Sequence, residues 1–162
     1  MELTLIMPAK NAGNFIIDAL NSLNGITKIQ FELIIVNDES TDDTLDKIKQ
    51  FRSKSTYPIK LVNNPYSGKV KALNYGYSLS NGDYIKCIDA DDLLLPGYFE
   101  LFKEKPNFDV HCHDASIVDS LLKNLGIYTI NSSFLRSSYI EVMTNFISLP
   151  RWTWTFSRDV AN

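Results

Sequence analysis

An α/β domain with a mostly parallel sheet, covered by helices on both faces, is predicted by three features of the sequence. Short apolar runs alternate with helix-patterned segments through roughly the first hundred residues. One of those runs, Phe31 to Val36, is apolar at every position but Glu32, and unbroken from Leu33 to Val36, as expected of a strand covered on both faces. Polar and charged residues then follow each run directly, where strands of such a sheet empty into loops.

Leu3 to Met7 is the first strand. From Asn14 to Leu23 the residues Phe15, Ile16, Ala19, Leu20 and Leu23 keep helical spacing. Phe31 to Val36 is the second strand. Ser40 or Thr41 is expected to cap the next helix: Ser40-x-x-Asp43 has capping-box form, Asp42 and Asp43 suit a positive first turn, and Leu45, Ile48 and Phe51 mark a buried stripe. Ile59 to Val62 forms a third strand, leading through Asn63-Asn64-Pro65 and Gly68 into a helix with Val70, Leu73 and Tyr77 on one face, ended by Asn81-Gly82. Tyr84 to Ile88 is the fourth strand, and Pro96 opens a helix to about Lys105. Beyond it the rhythm weakens. Phe108 to Cys112 and Gly126 to Ser133 read as strands, Asp119 to Leu125 and Ser137 to Phe146 as short helices, and Leu149 to Phe156 as an aromatic, irregular stretch. No closing element follows, which suggests that residues 1–162 are one domain stopping inside a larger fold.

Composition sets the outer bounds. The chain has 162 residues, 44% apolar and 22% charged, enough for one core and typical of a globular domain. Its net charge of −3 and the lack of a Lys/Arg block argue against a nucleic-acid partner. Two cysteines, Cys87 and Cys112, in apolar runs read as reduced core thiols. Without a basic leader or a run near 18 apolar residues, a cytoplasmic location is expected, with peripheral membrane contact left open. Trp152 and Trp154 would favour self-association into a homo-oligomer if they were exposed.

The strongest chemical signal is Asp89-Ala90-Asp91-Asp92 at the end of the fourth strand. Ionised neighbours this close repel by about 4 kcal/mol per pair at ~4 Å in an effective dielectric near ~20. A divalent cation offsets that repulsion, and hard oxygen ligands favour Mg²⁺ or Mn²⁺, which keep positions open for substrate phosphates. His111 and His113 share one face of a strand, but no third ligand accompanies them.

Four patterns together resemble family 2 glycosyltransferases of the GT-A fold, closely over about residues 3–105: Leu5-Ile6-Met7-Pro8-Ala9-Lys10-Asn11, Ile34-Ile35-Val36-Asn37-Asp38-Glu39-Ser40-Thr41-Asp42, Gly68-Lys69-x-x-Ala72-Leu73-Asn74-x-Gly76, and Gly82-Asp83-Tyr84-Ile85 leading to Asp89-Ala90-Asp91-Asp92. The resemblance implies a Rossmann-like nucleotide-binding part over 1–105 and a partial acceptor side over 106–162. It implies that Pro8, Ala9, Asn11, Asp38, Lys69, Asp89 and Ala90 contact a nucleotide-diphosphate sugar, with a UDP-sugar favoured. Within that set Pro8 and Ala9 would pack on the base, Asp38 would accept its hydrogen bond, and Lys69 would lie near the phosphates. Asp91, with Asp89, would hold the metal. The implied reaction is metal-dependent transfer with inversion to a glycan or lipid-linked acceptor.

Two departures stand out. Asn37-Asp38-Glu39-Ser40 replaces the family's Asp-Asp-Gly-Ser, so the turn loses a glycine. The acidic motif that supplies the catalytic base in the family has no match before Asn162; Glu141 and Asp159 are the remaining late carboxylates, and the catalytic residue stays unassigned. A binding-only donor module without a base is therefore a standing alternative. Nucleotidyl transfer on a related fold ranks lower, because Lys10-Asn11-Ala12-Gly13 makes a poor Gly-rich phosphate loop.

Overall fold

The computed structural model describes residues 2–24, 29–102, 110–112, 115–118, 123–128 and 154–161. In chain order these give β1 (Leu3–Ala9), α1 (Ile16–Asn21), β2 (Phe31–Asn37), α2 (Thr44–Arg52), β3 (Ile59–Asn63), α3 (Lys69–Ser78), β4 (Tyr84–Cys87) and a 3-10 helix, Pro96–Phe102. After these come β5 (Val110–Cys112), β6 (Ala115–Val118), β7 (Asn124–Tyr128), β8 (Trp154–Ser157) and a one-turn helix, α4 (Arg158–Ala161).

Six strands form one sheet in the order β3-β2-β1-β4-β8-β5. The first four are parallel, and β8 runs antiparallel between β4 and β5. Strands β6 and β7 pair separately as an antiparallel ribbon. The order turns back between β1 and β4, and in open α/β sheets a ligand crevice forms beyond the carboxyl ends of the strands at such a switch point.

Alternation along the central strands divides the core in two. Leu3, Leu5 and Met7 of β1 and Leu33 and Ile35 of β2 pack with Ile16, Ala19 and Leu20 of α1, Ile48 of α2, and Tyr98, Phe99 and Phe102 of the 3-10 helix. Ile34 and Val36 point to the opposite face, against Ala72 of α3. Both faces are thus buried, which explains the apolar run from Leu33 to Val36 within β2.

Helix α3 presents a different face from the one its sequence suggested. Val70 is exposed, while Ala72 and Gly76 are buried, with Tyr75 and Leu79 packed beside them. A Cβ on Gly76 would lie 2.4 Å from Ile6 Cγ2 and 3.2 Å from Val36 Cγ2. Small residues win this stripe because they let the helix sit directly on β1 and β2.

Pro8 is accommodated in a central strand by register. Ile6 accepts from Ile88 N, so the backbone nitrogen of Pro8, two residues on, faces the same side, beyond the last paired residue of β4. Its missing N–H removes no ladder bond there.

Several late elements differ from expectation. The segment after Pro96 is a 3-10 helix ending at Phe102, with Lys105 outside the described residues. Asn124 and Leu125, expected to close a helix from Asp119, lie in β7 instead, and β6 was not anticipated. Trp154–Ser157, expected to be irregular, is β8. Its Thr155 is fully buried and bonded to the Tyr98 hydroxyl, and its neighbour Arg158 donates from Nε to Gly82 O at 2.8 Å and from Nη2 to Ser80 Oγ at 3.0 Å. Sheet pairing and this anchor, both distant in sequence, define the strand. The helix expected over Ser137 to Phe146 lies outside the described residues, as does the continuation of the strand past Tyr128.

Candidate functional site

The carboxyl ends of β1, β2 and β4 and the start of α3 enclose an open cleft of about 430 Å³. Its lining contains every nucleotide- and metal-contact residue expected from the sequence: Pro8, Ala9 and Asn11 after β1, Asp38 after β2, Lys69 at the start of α3, and Asp89, Ala90 and Asp91 after β4. Lys10, Ala12 and Phe15 line it too and were not anticipated as site residues. Phe15 carried a signal, an aromatic at the mouth of the first helix, but helical spacing made it look like core; it is 43% exposed.

The loops are held by side-chain bonds to backbone. Asn11 has φ 50° and its Oδ1 accepts from Thr41 N at 2.8 Å, while its own N donates to Ser40 Oγ at 3.1 Å. Ser40 therefore links two loops and does not cap α2. The expected capping box is absent: Asp42 takes that role, accepting from Thr44 N at 3.1 Å and from the Thr44 hydroxyl, with its other oxygen accepting from Gly13 N at 3.0 Å. The Thr44 hydroxyl leads the causes that hold the Asp42 carboxyl below the usual range. One aspartate thus ties the loop after β1 to the start of α2.

Glu39 occupies the position where a glycine was expected to be missed, and it adopts φ 60°. The turn keeps the left-handed geometry despite the side chain, a conformation costing a non-glycine residue about 1–2 kcal/mol. Glycine's extra unfolded-state freedom returns about 0.5–1 kcal/mol of that. Glu39→Gly is expected to stabilise the fold by about 0.5–1 kcal/mol, read as a higher urea midpoint; a lower midpoint would contradict the strain argument.

Asp38 is only 4% exposed. Its Oδ1 accepts from Asn64 Nδ2 at 2.7 Å and from Gly68 N at 3.0 Å, and Lys10 Nζ stands 3.9 Å from Oδ2. The Asn64 bond is the largest cause holding the carboxyl below its ordinary range, against the opposing effect of burial. A folded-state pKa below the unfolded value of about 3.9 makes this stabilisation complete above that value and lost as pH falls through the folded one. Asp38→Asn should therefore lower the melting temperature near neutral pH. The gap to wild type should close on acidification below about pH 4; a gap independent of pH would refute the account.

At the other wall Lys69 Nζ lies 2.7 Å from Asp89 Oδ2. Asp91 is exposed to the cleft. Just beyond, burial first, then the charges of Asp89 and Asp91, push Asp92 up to about 6, and its buried Oδ2 has no hydrogen-bond partner. Among the described residues no three His, Cys, Asp or Glu side chains gather as a metal cage. Two cleft carboxylates beside a crowded third nevertheless suit a hard cation that takes its other ligands from substrate phosphate and water. Asp89 and Asp91 fit that role.

Of the late carboxylates, Asp159 does not complete the site. Ser157 pairs with Tyr84, so α4 and Asp159 lie at the amino end of β4, away from the cleft. Glu141, His113 and Trp152 are outside the described residues, and of Trp154 and His111 only the backbone is placed, in β8 and β5. No helix among the described residues is long and apolar enough to cross a membrane.

Comparison with known proteins follows the same lines. The family model described as glycosyl transferase family 2 matches residues 4–140. An uncharacterized glycosyltransferase of Haemophilus influenzae is 35% identical over 98 residues, 60% of this chain and 30% of that protein. Residues 1–349 of Staphylococcus aureus TarS, solved in complex with UDP-GlcNAc, superpose with a TM-score of 0.56 at 28% identity, covering 62% of this chain and 29% of that one. A mannosyltransferase of Pyrobaculum calidifontis, solved with GDP-Man and Mn²⁺, shares the fold with a TM-score of 0.55 at 23% identity over 67% of this chain and 34% of that one. The chain thus spans about a third or less of these relatives. Its family match and its sheet make it a member of glycosyl transferase family 2, with the GT-A-type α/β fold.

Proposed function

We propose that this chain is the donor-binding part of a metal-dependent glycosyltransferase, with residues 1–105 binding a nucleotide-diphosphate sugar and 106–162 contributing to the acceptor side. The observation that carries the reading is the convergence of Pro8, Asp38, Lys69, Asp89 and Asp91, from four separate segments of the chain, on one cleft. Pro8 and Ala9 form a floor for the base, Asp38 accepts from its edge, and Asp89 and Asp91 hold Mg²⁺ or Mn²⁺. When bound, the metal stabilises charge building on the departing diphosphate. Lys69, paired with Asp89 in this structure, lies within the same cleft and adds positive charge toward the phosphates.

The donor is a UDP-sugar, in keeping with the UDP-GlcNAc bound by TarS. The acceptor is a glycan or lipid-linked molecule and transfer proceeds with inversion, as the family membership suggests. A cytoplasmic setting suits its two thiols, and a lipid-linked acceptor would bring peripheral membrane contact and self-association at that surface.

Calorimetric titration with UDP, with and without Mn²⁺, tests the reading. Metal-dependent binding is expected, and heat that is absent or indifferent to Mn²⁺ would refute it. A second reading, a binding-only module, is favoured by Asp159 lying away from the cleft. Slow hydrolysis of UDP-GlcNAc above the protein-free rate would exclude that second reading; binding without turnover would establish it.

A further inference from the structure

The two oxygens of Asp38 are chemically unequal. Oδ1 accepts two hydrogen bonds from the protein, from Asn64 Nδ2 and Gly68 N, at 2.7 and 3.0 Å. Oδ2 faces Lys10 Nζ at 3.9 Å, beyond hydrogen-bond length. A carboxylate oxygen offers two in-plane lone pairs, so Oδ1 is saturated and Oδ2 is the acceptor left for a molecule in the cleft.

Asn64 is itself fixed. Its N–H donates to Asn37 O at 2.8 Å, its Oδ1 accepts from Tyr66 N at 3.1 Å, and its Nδ2 reaches Gly68 O at 3.3 Å as well as Asp38. Reversing the amide would set its oxygen against a carboxylate and its nitrogen against a backbone N–H, so the orientation is determined.

Nucleobases differ in what they ask of such an acceptor. The uracil imide presents one N–H between two carbonyls and needs a single acceptor oxygen, with a flanking carbonyl free to take a hydrogen bond from a cation such as Lys10. Guanine presents two adjacent donors, N1–H and the N2 amino group, which match the two oxygens of a carboxylate in bidentate fashion. The fold does not choose between them: the TarS structure holds UDP-GlcNAc and the mannosyltransferase structure GDP-Man.

Resting on the nucleotide-sugar reading above, we propose that Asn64 is a positioning residue that, by occupying Oδ1, makes Asp38 a single-acceptor reader selecting uracil over guanine. A guanine in the cleft leaves its second donor facing an oxygen already saturated. One donor unpaired in a desolvated site weakens binding by about tenfold or more.

The test is calorimetric titration of UDP and GDP, each with Mn²⁺, into wild type, Asn64→Ala and Asn64→Asp. Wild type should prefer UDP by about tenfold or more. The aspartate variant keeps the acceptor for Tyr66 N–H and loses the amide donor that serves Asp38 and, at longer range, Gly68 O, and comparing UDP with GDP on the same protein cancels its added charge. In both variants the preference should fall to about threefold or less. A second readout needs no nucleotide: the Asp38 carboxyl, followed by carbon NMR, should titrate higher in both variants than in wild type. Equal UDP and GDP affinities in wild type, a preference for GDP, or variants that keep the wild-type ratio would overturn the proposal while leaving the parent reading intact. Failure of wild type to bind either nucleotide would overturn both.

Discussion

Asp91→Ala is expected to weaken Mn²⁺-supported UDP binding by about 100-fold or more, without lowering the melting temperature. Two carboxylates that follow β4, Asp89 and Asp91, face the cleft together, and Asp89 already shares its charge with Lys69 at 2.7 Å. Removing Asp91 leaves the cation one partly neutralised ligand. A factor of 100 corresponds to about 2.7 kcal/mol, within the several kcal/mol that a bridging metal contributes at a diphosphate. Stability should hold because Asp91 is exposed and its side chain supports no described core contact. Titrations with and without Mn²⁺ separate the effects: the variant should bind equally weakly in both, at the metal-free level of wild type. Retained Mn²⁺ dependence would move the metal away from Asp91.

Gly82→Ala carries the largest expected cost to the fold. A Cβ at this position would stand 2.5 Å from Thr4 N and 2.7 Å from Leu3 C, both backbone atoms that cannot rotate aside. The same residue donates its N–H to the buried Thr4 Oγ1 at 2.8 Å and accepts from Arg158 Nε at 2.8 Å. Thr4 Oγ1 in turn donates to Glu32 Oε1 at 2.8 Å, so β1, β2, the turn that leads into β4 and α4 meet at one point. Overpacking against backbone costs about 3 kcal/mol, which for a slope of roughly 2 kcal/mol per molar lowers the urea midpoint by about 1.5 M. Gly97→Ala is the control, because nothing lies within 4 Å of its Cβ. A Gly82 variant as stable as the control would mean that β4 does not begin against β1 as described.

Much of the cleft was legible because its residues follow strand ends. An apolar run that stops at a polar cluster locates a carboxyl edge, and in a parallel sheet all such edges lie on one side, so Pro8, Asp38 and Asp89 had to converge once four parallel strands were recognised. Local pattern failed where a distant partner decided the outcome. Val70 has the right hydrophobicity for the face of α3, but Ile6 and Val36 leave room only for Ala72 and Gly76. Ser40 has the right chemistry for a cap, yet Asn11 and Ala9 claim its hydroxyl, 29 and 31 residues away.

What the linear order of residues determined by itself was the α/β class, the four parallel strands and the membership of the cleft at their carboxyl ends, since each depends on periodicity and on the residues next in line. Tertiary structure alone decided that Trp154–Ser157 is a sheet strand, that Asp159 lies away from the cleft, and that one oxygen of Asp38 takes two hydrogen bonds from the protein. Those outcomes are set by pairing between segments far apart in the chain, and hydrogen-bond saturation at a single atom has no period for a sequence to display.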